Sequence, residues 1–295
     1  MRIVYHLGAH CTDDERLLRC LLKNRGTLAP QGIIVPGPTR YRNLMRDTAI
    51  ALKGQAASPD TQALLLEQIM EEDHADRLIL SWENFLSFAT WALDGGLYPS
   101  AGDRTRAFTQ VFPQIKAEFH LAIRNPASFL PAVFAKQKAM KGGTQKYETF
   151  VKGIDIFALR WSDVVSNIRA QNPDVPLTIW CDEDTPLIWP EVLQAVAGFA
   201  AGTVIEDEGE LLAAIMPPEG IKRMQAYIET HPITSVEMRR RIVSAFLDKF
   251  ALKDKISVEV EMPGWTESTV TTLTRSYEAD VARIAAMPGV RFIAP

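Results

Sequence analysis

The N-terminal stretch Met1–Leu17, MRIVYHLGAHCTDDERL, places Gly8, His10, Cys11 and Thr12 ahead of the acidic run Asp13-Asp14-Glu15. A glycine that lets the backbone approach a ligand, set between a β-forming run and an apolar helical repeat, is the layout of a phosphate-binding loop. Such a loop grips its anion with a lysine and a small hydroxyl residue. Starting from Gly8, it wants Gly at 13, Lys at 14 and Ser or Thr at 15, where the chain has Asp13, Asp14 and Glu15. Thr12 with Glu15 three residues on also reads as a capping box, whose side chains satisfy the N–H groups that a phosphate would use.

Other residues can do chemistry. Glu83 follows the apolar run RLILS by two residues, with Ser81 beside it. A carboxylate there can serve as general base on an acceptor hydroxyl, or cap or ion-pair at the start of a short helix. Arg124 ends the run EFHLAIR and is followed by Asn125 and Pro126. It can fork onto a phosphate or pair with Asp13 or Asp14. Lys136, Lys138, Lys141 and Lys146 surround Gly142-Gly143, forming either a basic loop for an acidic sugar or other anionic acceptor or a solvated surface. His6 and His10 with Cys11, Asp13 and Asp14 form no open His/carboxylate triad, so no metal site is expected. His120 reads as a core histidine. Asp182-Glu183-Asp184 can bind a cation or a basic acceptor, or cap the helix beginning near Pro186, and Arg239-Arg240-Arg241 reads as an exposed helix face.

The elements that must hold these residues alternate. Strands are predicted at Arg2–Leu7, Ile33–Val35, Arg77–Ser81, Glu118–Ile123 and Pro176–Cys181, each short and apolar as strands buried on both faces should be. Helical spacing predicts helices between them, at 14–28, 41–53, 61–72, 126–140 and 158–170. This is the pattern of an α/β fold with a mainly parallel sheet flanked by helices. Ligands of such sheets bind at the carboxyl ends of the strands. From about Gly202 no strong strand recurs, so residues 1–201 are expected to form the α/β domain and 202–295 a helical C-terminal extension packed on it.

With 295 residues, 47% of them hydrophobic, the chain can bury a large core. A net charge of −4 recommends neither a nucleic acid nor an anionic membrane as partner. Three cysteines without a CxxC pair, and no apolar run near about 20 residues, fit a reduced, non-spanning protein. No signal peptide is visible, and a cytoplasmic location is expected.

HLGAHCT…LLRCLLKNRGTLAPQGIIVPGP, then LILSWENFL, then LAIRNPASFLPAVFAKQKAMKGG…YETFV resembles the bacterial P-loop sulfotransferase-like proteins over residues 1–185. The resemblance implies a P-loop-type fold and a site for 3′-phosphoadenosine-5′-phosphosulfate (PAPS). Its 5′-phosphosulfate would lie on the first loop, and its 3′-phosphate on the arginine of the R-[ND]-P strand end and a serine eight residues later. Gly8, His10, Thr12, Arg124 and Asn125 match the family's cofactor-binding positions, and Glu83 and Ser81 its catalytic strand end. The family's lysine is Cys11 here, its glycine Asp13, its two hydroxyls Asp14 and Glu15, and its serine Ala132. At about 5 Å and an effective dielectric near 20, each charge pair amounts to about 3 kcal/mol, so these replacements can cancel micromolar binding. The expectation is a sulfotransferase-like protein with lost or altered PAPS chemistry. The alternatives are an active sulfotransferase acting on a carbohydrate or small-molecule hydroxyl, and a non-catalytic interaction protein.

Overall fold

The computed structural model describes residues 1–140, 142, 146–206, 209–256 and 262–295. The chain runs β1 (Arg2–His6), α1 (Arg16–Lys23), α2 (Arg25–Leu28), β2 (Ile33–Ile34), α3 (Pro38–Leu52), α4 (Pro59–Ile69), β3 (Arg77–Ser81), α5 (Ala101–Thr109) and β4 (Lys116–Ile123). It continues through α6 (Pro126–Met140), α7 (Tyr147–Phe150), α8 (Trp161–Gln171), β5 (Leu177–Cys181) and α9 (Thr185–Ala197). The tail adds α10 (Glu210–Ile215), α11 (Pro218–Thr230), α12 (Val236–Phe250), α13 (Lys253–Ile256), α14 (Glu267–Ala285) and β6 (Val290–Ile293).

The strands form one parallel sheet in the order β2-β3-β1-β4-β5-β6, so the fold is α/β with helices on both faces. β1 leads outward to β2 on one side, while β4 leads to β5 on the other. The crevice at the carboxyl ends of β1 and β4 is therefore the topological switch point where open α/β sheets bind ligands. β6 corrects the expectation that no strand recurs after about Gly202 in a mostly helical tail: Val290 to Ile293 pairs with Leu177 to Trp180 and extends the sheet. α5 is a further addition to the predicted elements.

Alternation along the strands sorts side chains to two faces. Ile3, Tyr5 and Leu7 with Leu78, Leu80, Phe119, Leu121 and Ile123 pack under α3, α6, α8 and α14. Val4, Ile79, Ala122 and Trp180 pack against α1 and α9 on the other face. That second face also carries a polar ladder. Glu118 accepts hydrogen bonds from Arg2 (2.9 Å) and Arg77 (2.7 and 3.2 Å), and lies 2.6 Å from His120 Nε2. Arg77 also donates to the carbonyls of Val196 and Ala195 at the C-terminal end of α9, where a cation complements the helix dipole.

Burial alone would push the Glu118 carboxyl up, but its hydrogen bonds to His120 and Arg77 outweigh that and hold it well below the usual carboxylate range. Removing it leaves the largely buried Arg77 guanidinium unpaired. Glu118→Ala is expected to lower unfolding stability by about 3 kcal/mol at pH 7. Because the folded-state value is depressed, the carboxylate's contribution is present above the unfolded value near 4 and is lost as pH falls. Urea unfolding of both proteins should therefore converge in acid; a difference independent of pH would contradict the charged role.

Candidate functional site

The loop after β1 is built by backbone constraints. Gly8 adopts φ +85°, and a Cβ on it would lie 3.1 Å from Glu83 Cβ and 3.2 Å from Glu83 Cα, so only glycine fits there. The Gly8 carbonyl accepts from Ala122 N (2.6 Å) and Ala9 N donates to Ala122 O (2.9 Å), carrying the β1–β4 pairing past the end of the strand. Cys11, Asp14 and Glu15 then take φ of 57°, 49° and 61°. This left-handed geometry delays α1 to Arg16 and corrects the predicted start at 14.

The capping box is corrected as well. Thr12 Oγ1 donates to the Ala9 carbonyl (2.9 Å), and Glu15 pairs with Arg42 at 2.6 Å. Asp13 does the capping: its carboxylate accepts from Glu15 N (3.2 Å) and Leu17 N (3.1 Å). An internal carboxylate thus stands on the first turn of α1.

A cavity of about 440 Å³ opens above the loop, lined by Gly8, Thr12, Ser81 and Glu83 among others. That volume is in the range of small-molecule sites. Asp13, Asp14, Glu15 and Glu83 face it against two cations, Arg42 from α3 and Lys136 from α6. Arg42 is held by Glu15, and Lys136 is ion-paired to Glu83. Glu83 opens a short 3₁₀ turn, as the ion-pairing reading had it. On the cavity floor His6 Nδ1 meets Ser81 Oγ at 2.8 Å, while His6 Nε2 is buried with no hydrogen-bond partner among the described residues. Burial holds the His6 imidazole below its ordinary value, against the opposing pull of Asp13.

His10 is not on this cavity. It is fully buried, with Nδ1 2.6 Å from the Tyr98 hydroxyl and Nε2 3.0 Å from the Asn84 side chain. His120 is a buried histidine held by Glu118, and its Nδ1 has no hydrogen-bond partner among the described residues. No group of three or more metal-ligating side chains occurs among the described residues. Lys138 is exposed on α6, and Lys141 lies outside the described residues.

Arg124 and Asn125 line a second cavity of about 600 Å³ with Asp182, Glu183, Trp265 and Thr274. The expected pairing of Arg124 with Asp13 or Asp14 is corrected. Arg124 donates to the Cys11 carbonyl (2.5 Å) and Ser128 Oγ (3.0 Å), and its nearest carboxylate is Asp182 at 4.0 Å. The acidic turn does not cap the helix that follows it, for α9 has no side-chain cap. Glu183 reaches across instead, accepting from Asn125 N at 2.7 Å and from the Tyr277 hydroxyl at 3.1 Å. Asn125 Oδ1 accepts from Ala127 N (2.9 Å), and its amide donates to Thr274 on α14 (2.9 Å). The N-terminus of α6 is therefore capped by Asn125, whose own N–H is taken by the Glu183 carboxylate.

Sequence reasoning missed Arg42, the His6–Ser81 pair and the reach of Glu183. Each depends on residues brought together from different strands or helices, which no local spacing announces.

The chain matches no protein-family profile, no curated protein and no solved structure.

Burial pushes the Asp182 carboxyl well up; Arg124 opposes this, while Glu183, Asp13 and Asp14 reinforce it. A group whose folded-state value is raised supports stability below its unfolded value near 4 and loses that support as pH rises through the folded value. Asp182→Asn, which keeps the shape and removes the charge, should raise the melting temperature more at pH 7 than at pH 4. An equal shift at both would contradict the buried acid. Asp13→Ala removes the α1 cap and should cost about 1 kcal/mol in chemical unfolding.

Proposed function

We propose that this chain is a P-loop sulfotransferase-like protein whose two PAPS anion positions are filled by its own carboxylates. Its remaining first-loop cavity takes a neutral or cationic small ligand instead. The observation that carries the reading is the pair of capped helix N-termini at the switch point: Asp13 on α1, and Asn125 with Glu183 on α6. A phosphosulfate on the first loop would use the α1 N–H groups and dipole, and a 3′-phosphate would use Arg124, which lies 4.0 Å from Asp182 and donates to the Cys11 carbonyl. The cavity charge points the same way, with four carboxylates against two cations that are each already paired. An arriving dianion meets net repulsion of about 3 kcal/mol per unpaired charge at about 5 Å, whereas an amine meets the opposite sign.

One observation favours retained transfer. The ammonium of Lys136 lies near Cys11, where the family has its lysine, and is the largest nearby charge acting on that thiol. In that second reading Lys136 would hold the phosphosulfate and Glu83 would serve as base on an acceptor hydroxyl. It requires Lys136 to leave Glu83, which then stands beside the anion unneutralised.

Calorimetric titration separates the two. PAPS and adenosine-3′,5′-bisphosphate are expected to give no saturable heat in the micromolar range. Micromolar binding abolished by Lys136→Ala would establish the transferase reading instead. In a thermal-shift series, amines and amino sugars should raise the midpoint where sulfated and phosphorylated compounds do not, since only a ligand of the native state does so.

A further inference from the structure

In the tail, α11 and α12 pack antiparallel over Met224, Ile242 and Val243, with Tyr227 against Phe246 (ring centroids 6.0 Å) and Arg223 over the Phe250 ring (5.6 Å). Between them opens a groove of about 730 Å³. No residue of α11 or α12 lines either cavity of the crevice, so the groove is a separate site. Its floor is apolar, formed by Tyr227, Ile242, Phe246 and Phe250, and Tyr227 is 41% exposed. The charged residues lining it are all cations, Arg223, Arg241 and Lys249. On a chain of net charge −4 this is a local reversal of sign. Arg223 is tied to Glu219 at 2.6 Å, while Arg241 and Lys249 have no ion pair among the described residues.

We propose that this groove receives an amphipathic helix of a partner protein, one that carries Asp or Glu beside an apolar stripe. From Met238 to Phe250 the α12 wall runs about 18 Å, the length of a little over three helical turns. An apolar face of that length suits a partner presenting anchors at i, i+3 or i+4 and i+7. The placement of charge selects a helix over a fatty carboxylate or other single-headed amphiphile. Arg241 and Lys249 stand about 12 Å apart along α12, and Arg223 stands on the opposite wall. Arg223 and Lys249 both lie over the Phe250 ring, 5.6 and 5.5 Å from its centroid, so a lone anionic head placed there leaves Arg241 about 12 Å along α12 unmet, whereas a helix bearing a carboxylate each turn can meet all three. Electrostatic complementarity of this kind speeds association and excludes basic partners.

The test uses the full chain and a displayed library of helical peptides of about 16 residues, with apolar positions fixed at i, i+4 and i+7 and the flanking positions randomised. Recovered peptides are expected to be enriched in Asp and Glu at the flanks. Their affinity, read by fluorescence anisotropy, should fall about tenfold or more in the Arg241→Glu/Lys249→Glu variant and fall with added salt. Both positions are exposed, so the variant keeps its fold, which circular dichroism verifies. Ala245→Trp, which fills the groove without changing its charge, should weaken the same peptides. Recovery of basic peptides, affinity indifferent to the charge reversal, or failure to recover any binder would overturn the proposal. So would saturable binding of dodecanoate or of phosphatidylglycerol vesicles through these cations with no peptide binding.

Discussion

The crevice is organised by carboxylates that accept from backbone N–H groups at the starts of two helices. A helix N-terminus leaves backbone donors unpaired and carries partial positive charge, and something must satisfy both. At α1 the chain uses Asp13, four residues from the amide it caps; at α6 Asn125 caps the helix, and Glu183, which follows the end of β5, holds the Asn125 N–H. The second choice has the wider consequence. It fixes the turn after β5 against the end of β4, brings Tyr277 of α14 onto the same carboxylate, and so anchors the tail to the sheet edge. Arg124 donates to the Cys11 carbonyl and holds the first loop in its left-handed path.

A second polar system runs beneath the first on the α1/α9 face of the sheet. In register across β3, β1 and β4, Ser81 faces His6 and His6 faces His120, while Glu118 gathers Arg2, Arg77 and His120 one step nearer the strand starts. Such a ladder costs desolvation, and it is tolerable because Glu118 is bonded on both oxygens. It specifies which face α9 covers: Arg77 clamps the end of that helix through its carbonyls. His6 ends the ladder at the cavity floor and joins the buried network to the open crevice.

How far this was legible in the sequence follows from the range of the interactions involved. β1, β3, β4 and β5 were readable because each is an apolar run buried on both faces. β6 was not, since VRFI is a short edge strand whose Val290, Arg291 and Phe292 keep partial exposure, and it follows a long helix. The T-x-x-E pattern at Thr12–Glu15 suggested a capping box, but positive φ at Asp14 and Glu15 starts the helix later and hands the cap to Asp13. Arg239 and Arg240 looked solvated within an RRR run. Both in fact reach Glu191 on α9 at 2.7 and 3.0 Å, a contact visible only once the tail folds back. The basic character of Lys136 was visible, but its pairing with Glu83 across 53 residues was not.

These contacts make α9 the element shared by the sheet, the turn after β5 and the α12 part of the tail. Its N-terminal end grows out of the turn that carries Asp182 and Glu183, its C-terminal carbonyls are held by Arg77, and Glu191 in its middle secures α12. Moving α9 as a body must break all three attachments, two of them charge-assisted and largely shielded from water, where such bonds are strongest. The crevice and the seating of the α11–α12 hairpin therefore share one support. The hairpin meets that support through Arg239 and Arg240 of α12 and through Leu187 of α9, which packs against its apolar cluster, and among the described residues its outer face is left uncovered. A chain that needed the tail only as a cover for the sheet would bury that face. This one packs α14 and β6 for that purpose and, among the described residues, leaves the cationic, apolar groove uncovered, where a patch of that kind is normally an interaction site.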